Sequence, residues 1–135
     1  MTLSEDILTQ LETSSELVAL VSTRISPYVR NATTQTFPAV VFEITNTAIE
    51  SDTSGAIGRC QSDLTVTALS RSYIEADEVA DEVLAVLGAW SDDTACVAMT
   101  TPTAITRDQE MPYDGSQTLV YRCAVDFSVD HGVAI

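Results

Sequence analysis

The chain has 135 residues, enough for a single domain (1–135) with a buried core. Twenty acidic residues stand against six arginines, one histidine and no lysine, a net charge of −14. That balance argues against binding nucleic acid through phosphate neutralisation and against docking on an anionic membrane surface; acidity for solubility alone is its blander account.

Ser4 as N-cap, or Thr2 with Glu5, opens a helix carrying Ile7, Leu8 and Leu11. Thr13 with Glu16 reads as a second capping box, so the helix either breaks between Glu12 and Ser15 or runs on to Ser22. Arg24-Ile25-Ser26-Pro27 then leads through Tyr28 and Val29 into a polar loop, Asn31 to Thr36. From Pro38, the residues Val40, Phe42 and Ile44 alternate with Val41, Glu43 and Thr45, the period of a half-buried strand. Ser51 to Gly58 is rich in turn residues and reads as a long projecting connection. Arg59 to Leu69 is the clearest strand: Cys60, Ser62, Leu64, Val66 and Ala68 face one way, and Arg59, Gln61, Asp63, Thr65 and Thr67 the other.

Ser72 with Glu75 is a capping box that opens a helix to Gly88. Its stripe of Tyr73, Ala76, Val79, Ala80, Val83, Leu84 and Leu87 requires a flat apolar surface to cover. Ala95 to Arg107 reads as a Thr-rich strand in which Pro102 marks an edge or a bulge. Asp108 to Gln117 reads as a polar loop with a strong turn signal at Asp114-Gly115. Thr118 to Val129 closes the chain as a strand with Tyr121, Cys123, Val125 and Phe127 inward and Arg122, Asp126 and Ser128 outward. The order predicts an α+β domain: a mostly antiparallel sheet with long hairpins, covered on one face by two helices.

Little in the chain points to catalysis. His131 is the only histidine, four residues from an end expected to fray, so a nucleophile–histidine arrangement is not expected. There is no phosphate loop or dinucleotide fingerprint, and no cofactor is implied. Asp77, Glu78, Asp81 and Glu82 have a spacing that suits a cation, but a solvated helix face explains them better. Arg59 and Arg122 pair either with Asp63 and Asp126 in the sheet or with acids of a neighbouring subunit. Cys60, Cys96 and Cys123 are odd in number and lack CxxC spacing, and so read as reduced, buried thiols. No apolar run reaches the ~18 residues of a membrane span, and the acidic N-terminus does not read as a signal peptide. The expected site of synthesis is a cytoplasm.

The order of elements resembles the tail-terminator, or tail-completion, proteins of long-tailed bacteriophages and gene transfer agents. The residues that carry the resemblance are Arg24-Ile25-Ser26-Pro27, Phe37-Pro38-Ala39-Val40-Val41-Phe42 and Arg59-Cys60-Gln61-Ser62-Asp63-Leu64-Thr65-Val66. The helix at Ala76-Asp77 and the strand Tyr121-Arg122-Cys123-Ala124-Val125-Asp126-Phe127 follow in the same order. The resemblance implies a structural virion protein without catalysis, located at the head-proximal end of the tail. It implies a six-membered ring of this chain that caps the tube, ends its polymerisation and meets the head. Its implied partners are the major tail tube protein and a head-connector or head-completion protein, with DNA passing through unbound and no membrane. Candidate subunit or tube contacts are Arg59, Gln61, Asp63 and Arg122, with Asp114, Gly115 and Ser116 from the polar loop. Candidate channel-lining acids are Asp77, Glu78, Asp81 and Glu82. Another ring of the head–tail junction, a tube-like protein or a small ligand-binding domain are the alternatives.

Overall fold

The computed structural model describes residues 3–22, 24–27, 38–52, 55–88, 90–91, 97–110 and 120–132. In chain order the elements are α1 (Leu3–Glu12), α2 (Ser15–Val21), β1 (Ile25–Pro27), β2 (Ala39–Asp52), β3 (Gly55–Ser70), α3 (Tyr73–Leu87), β4 (Val97–Glu110) and β5 (Val120–Gly132). They form one five-stranded sheet in the order β1-β2-β3-β5-β4. Only β1 pairs parallel, with β2; every other pairing is antiparallel.

The register explains the core. Phe42 stands opposite Val66, and Val66 opposite Val125, so the alternating apolar residues of three strands share one face. Onto that face α3 lays Ala76, Val79, Ala80, Val83 and Leu87, joined by Ile7 and Leu11 of α1 and Leu17 and Val21 of α2, all buried. The helical layer therefore has three helices rather than two, because the first is interrupted. Ser14, not Thr13, is the cap at the interruption: its hydroxyl accepts the Leu17 N–H at 3.1 Å, while Thr13 Oγ1 donates back to Gln10 O at 2.6 Å. The helices are also tied to each other, since Gln10 Nε2 donates to the Val86 carbonyl at 3.1 Å.

Polar groups hold both ends of α3. Ser72 accepts the Glu75 N–H, as expected, and the return arm runs through Ser70. The buried Ser70 hydroxyl accepts the Ser72 N–H at 3.0 Å and donates to Glu75 Oε1 at 2.7 Å. At the far end Gly88 is extended (φ −62°, ψ 123°), not left-handed as the sequence suggests. Glycine is needed there for a steric reason, because a Cβ would lie 2.5 Å from the Leu84 carbonyl oxygen. Beyond it the buried Thr100 fastens the exit of α3 to β4: its hydroxyl accepts the Trp90 N–H at 3.0 Å and donates to the Leu87 carbonyl.

Three expectations change. Arg24 to Pro27 is no mere approach to a loop; it contains β1, held by the Arg24 carbonyl accepting the Val40 N–H at 2.8 Å and by Arg24 Nε donating to Pro38 O at 2.7 Å. Ser51 to Gly58 is mostly strand: Ser51 faces Ala56 and Asp52 faces Gly55, leaving only residues 53–54 to connect them. Asp108 to Glu110 belongs to β4 and not to a loop. The loop Asn31–Thr36, Cys96 and the turn Asp114-Gly115-Ser116 lie outside the described residues.

Val83→Asp puts a charge with no counterpart into the core and is expected to cost upward of about 3 kcal/mol, read as a lowered melting temperature or loss of folding. An unchanged melting temperature would mean that α3 does not cover the sheet. Ser22 ends α2 at φ 56°, in the region that favours glycine. Ser22→Gly should therefore raise stability by about 1 kcal/mol in calorimetry, the relieved strain outweighing the added freedom of the unfolded chain. Cys60 and Cys123 are free and buried, and burial pushes the Cys123 thiol up. Neither should react with a thiol reagent until denaturant is added; rapid labelling of Cys60 or Cys123 in the native chain, located by peptide mass mapping, would contradict that burial.

Candidate assembly surface

From residue 61 to 67 of β3 the face of the sheet turned away from the helices is polar, because the same alternation that buries Leu64 and Val66 points Gln61, Asp63, Thr65 and Thr67 outward; farther along, Ala39 and Leu69 on that face are buried. Side chains on this face bond across strands. Thr65 Oγ1 donates to Asp126 Oδ1 at 2.8 Å, and Gln61 Nε2 donates to Ser128 Oγ at 2.8 Å. Arg122 grips Asp108 of β4 with two bonds, Nε to Oδ1 at 2.6 Å and its terminal nitrogen to Oδ2 at 2.8 Å. This corrects the Arg122–Asp126 pairing. Residues four apart on one strand stand about 13 Å apart, whereas directly opposed residues touch, and Asp108 is the register partner of Arg122.

Of the residues expected to make contacts, Gln61, Asp63 and Arg122 share this face. For Arg59 the backbone alone is described, opposite Gly132. The acids of α3 lie on the other side of the molecule. Asp77 accepts from Arg107 Nε of β4 at 2.9 Å, and this carboxylate holds the Arg107 guanidinium above its ordinary value. Glu78 and Asp81 are exposed and Glu82 is half-buried. The two candidate sets thus face opposite directions.

The sequence reading underestimated His131. It sits within β5, opposite Cys60 on one side and Val97 on the other. Its Nε2 lies 2.7 Å from Ser62 Oγ, which in turn lies 2.8 Å from Thr47 Oγ1. A serine hydroxyl against an imidazole is the start of a nucleophile–base pair. Here Ser62 is fully buried and its second partner is another hydroxyl, so the serine itself is closed to a substrate. Only the cross-strand register, invisible in the linear sequence, brings the three together.

The borders of the sheet are the remaining feature. Among the described residues, β1 covers β2 only from Val40 to Phe42, and β4 is the outermost strand on the other side. Residues 101–109 of β4 are all exposed, on both faces. Large apolar side chains stand out near these borders: Ile49 is 60% and Ile105 42% exposed. Among the described residues no three His, Cys, Asp or Glu side chains gather as a metal site, and no helix is long and apolar enough to cross a membrane.

Against known proteins, the chain is similar in fold to a chain of the virion of a native gene transfer agent (GTA) particle. The TM-score is 0.66 at 15% identity, covering 94% of this chain and 92% of that one. No curated protein matches. The family described as Tail completion protein gp17 matches residues 5–129, from α1 into β5. That family is one of structural virion proteins of the tail and not of enzymes, and this chain belongs to it.

Proposed function

We propose that six copies of the chain form a ring that caps the finished tail tube, ends its polymerisation and offers the surface on which the head docks. The observation that carries this reading is the family match across residues 5–129. The geometry agrees with it: a long sheet with a polar outer face and uncovered borders suits an assembly unit, which needs broad contact surfaces rather than a cleft. The partners are the major tail tube protein on one side and a head-connector or head-completion protein on the other. Gln61, Asp63 and Arg122, with Arg59 and the turn Asp114-Gly115-Ser116, are contact residues in this proposal.

The charge supports the passage of DNA. A bound phosphate adds salt-dependent affinity, so a basic channel would retard the duplex. A ring of chains each at −14 repels it. Asp77, Glu78, Asp81 and Glu82 contribute to that field from the helical side, and the acids of the sheet's polar face from the other.

Deleting the gene from the producing cell and imaging the particles tests the function: tubes should grow to irregular lengths and remain without heads, and supplying the wild-type chain should restore both. Tails of normal length, joined to heads in its absence, would refute the reading. The charge gives a second test. Self-repulsion between copies is screened beyond about 10 Å at ~0.1 M salt, so sedimentation should show the ring forming more readily as salt is added. A ring that forms best at low salt would show that charge repulsion does not oppose assembly.

A further inference from the structure

We propose that neighbouring copies join by pairing the outer edge of β4 with the outer edge of β2 beyond Phe42, so that successive sheets run on as one. The inference rests on the ring reading above and names the contact that makes the ring.

Among the described residues, two open edges lie on opposite sides of one sheet. Glu43 to Asp52 extends past the last residue of β2 that β1 covers, and β4 has no strand outside it among the described residues. Exposed edge strands of this length present a row of backbone donors and acceptors to any chain of matching direction. Because the two edges differ, their contact is head to tail, the kind that closes a ring where two copies of one edge would give only a dimer.

Strand direction favours the match. β2 runs opposite to β3, β3 to β5, and β5 to β4, so β2 and β4 point in opposite directions. A second copy, rotated about an axis along the sheet, brings its β2 antiparallel to β4, the more stable pairing. Length favours it too. The exposed run 101–109 of β4 is nearly as long as the open stretch of β2 from Glu43 to Asp52.

Side chains then fix the register. Ile49 stands opposite Cys60, and Ile105 opposite Val125, so both exposed isoleucines are on the face that the helices cover elsewhere. Aligning the two exposed runs sets Ile49 against Ile105, with Thr47 against Arg107 on the same face. On the other face it sets Ala48 against Thr106 and Asn46 against Asp108. No pair of like charges meets. Within one copy Ile49 is level with Val97, so this register staggers neighbouring copies along the strands, as the closure of any sheet into a ring requires.

Ile49→Lys and Ile105→Lys test the contact, each spoiling one edge at an exposed position and leaving the other intact. In high salt and at millimolar concentration, wild type should sediment as a closed ring and each variant as a monomer with the wild-type melting temperature. An equal mixture of the two variants should give one-to-one pairs and nothing larger, since one good β4 edge meets one good β2 edge. Hydrogen exchange is the readout that needs no variant: amides of 43–52 and 101–109 should slow on assembly, in the free ring or on isolated tail tubes. Dimers of one variant alone would show an edge pairing with itself and overturn the proposal. Rings unimpaired in both variants, or exchange unchanged along either edge after assembly, would overturn it too while leaving the ring standing. A wild-type chain that neither assembles alone nor binds tubes would instead defeat the ring reading beneath it.

Discussion

One apolar layer governs the rest of the molecule: the contact of Val79, Val83 and Leu87 of α3 with Leu64, Val66, Val125 and Phe127 of the sheet. A sheet with one face buried has its register fixed, because a slip of one residue turns every apolar side chain to water. With the register fixed, the polar residues between are placed as firmly as the apolar ones. The Thr65–Asp126 bond and the grip of Arg122 on Asp108 follow from the burial on the other side, and the alignment of Thr47, Ser62 and His131 follows from the same register on the helix-covered face.

The helical layer does not reach the whole sheet, and this leaves the edges on which the proposed contact between copies rests. β4 is held at its N-terminal part by Thr100, bonded to Trp90 and Leu87, and at its far part by the bonds of Arg107 to Asp77 and of Asp108 to Arg122. Between these points its side chains stand in water on both faces. Exposed ion pairs of this kind add little stability, commonly under about 1 kcal/mol. Their effect is to orient an edge that is kept in the sheet by backbone pairing with β5 and by the Thr103 hydroxyl, which donates to the Asp126 carbonyl at 3.2 Å.

What the sequence made legible followed the core. The α3 helix with its Ser72 cap, the alternation of β3 and β5 and the inward thiols Cys60 and Cys123 all carry the signal of a buried face, and all stand where periodicity puts them. Where burial ends, the signal ends. β2 reads on through Thr47 and Ile49 only weakly, because residues 45–49 are exposed and need no apolar alternation, its end from Ser51 looks like a turn, and β1 is only three residues long. The polar contacts were illegible for a different reason. Asp108 is 14 residues from Arg122, and His131 is 69 from Ser62, so only the register of the folded sheet makes them neighbours. The expected turn at Asp114-Gly115 lies outside the described residues and remains an expectation.

The two acidic surfaces are not equivalent once the ring is considered as a closed sheet. A layer wrapped around another needs the greater circumference, and three helices packed on one face thicken that side by about 10 Å. A sheet that closes through its edges therefore carries its helices outward. The polar face, with Asp63, Asp126 and Asp130 between threonines and serines, then turns to the axis, and Glu78 and Asp81 of α3 turn to the outer rim. Edge pairing is thus an alternative both to channel-lining by α3 and to subunit contacts through Gln61, Asp63 and Arg122. The same contact that joins the copies decides which carboxylates the passing duplex meets, and the hydroxyls between them give that wall hydrogen-bonding groups without positive charge. Arg122, a cation on that face, is already held by Asp108.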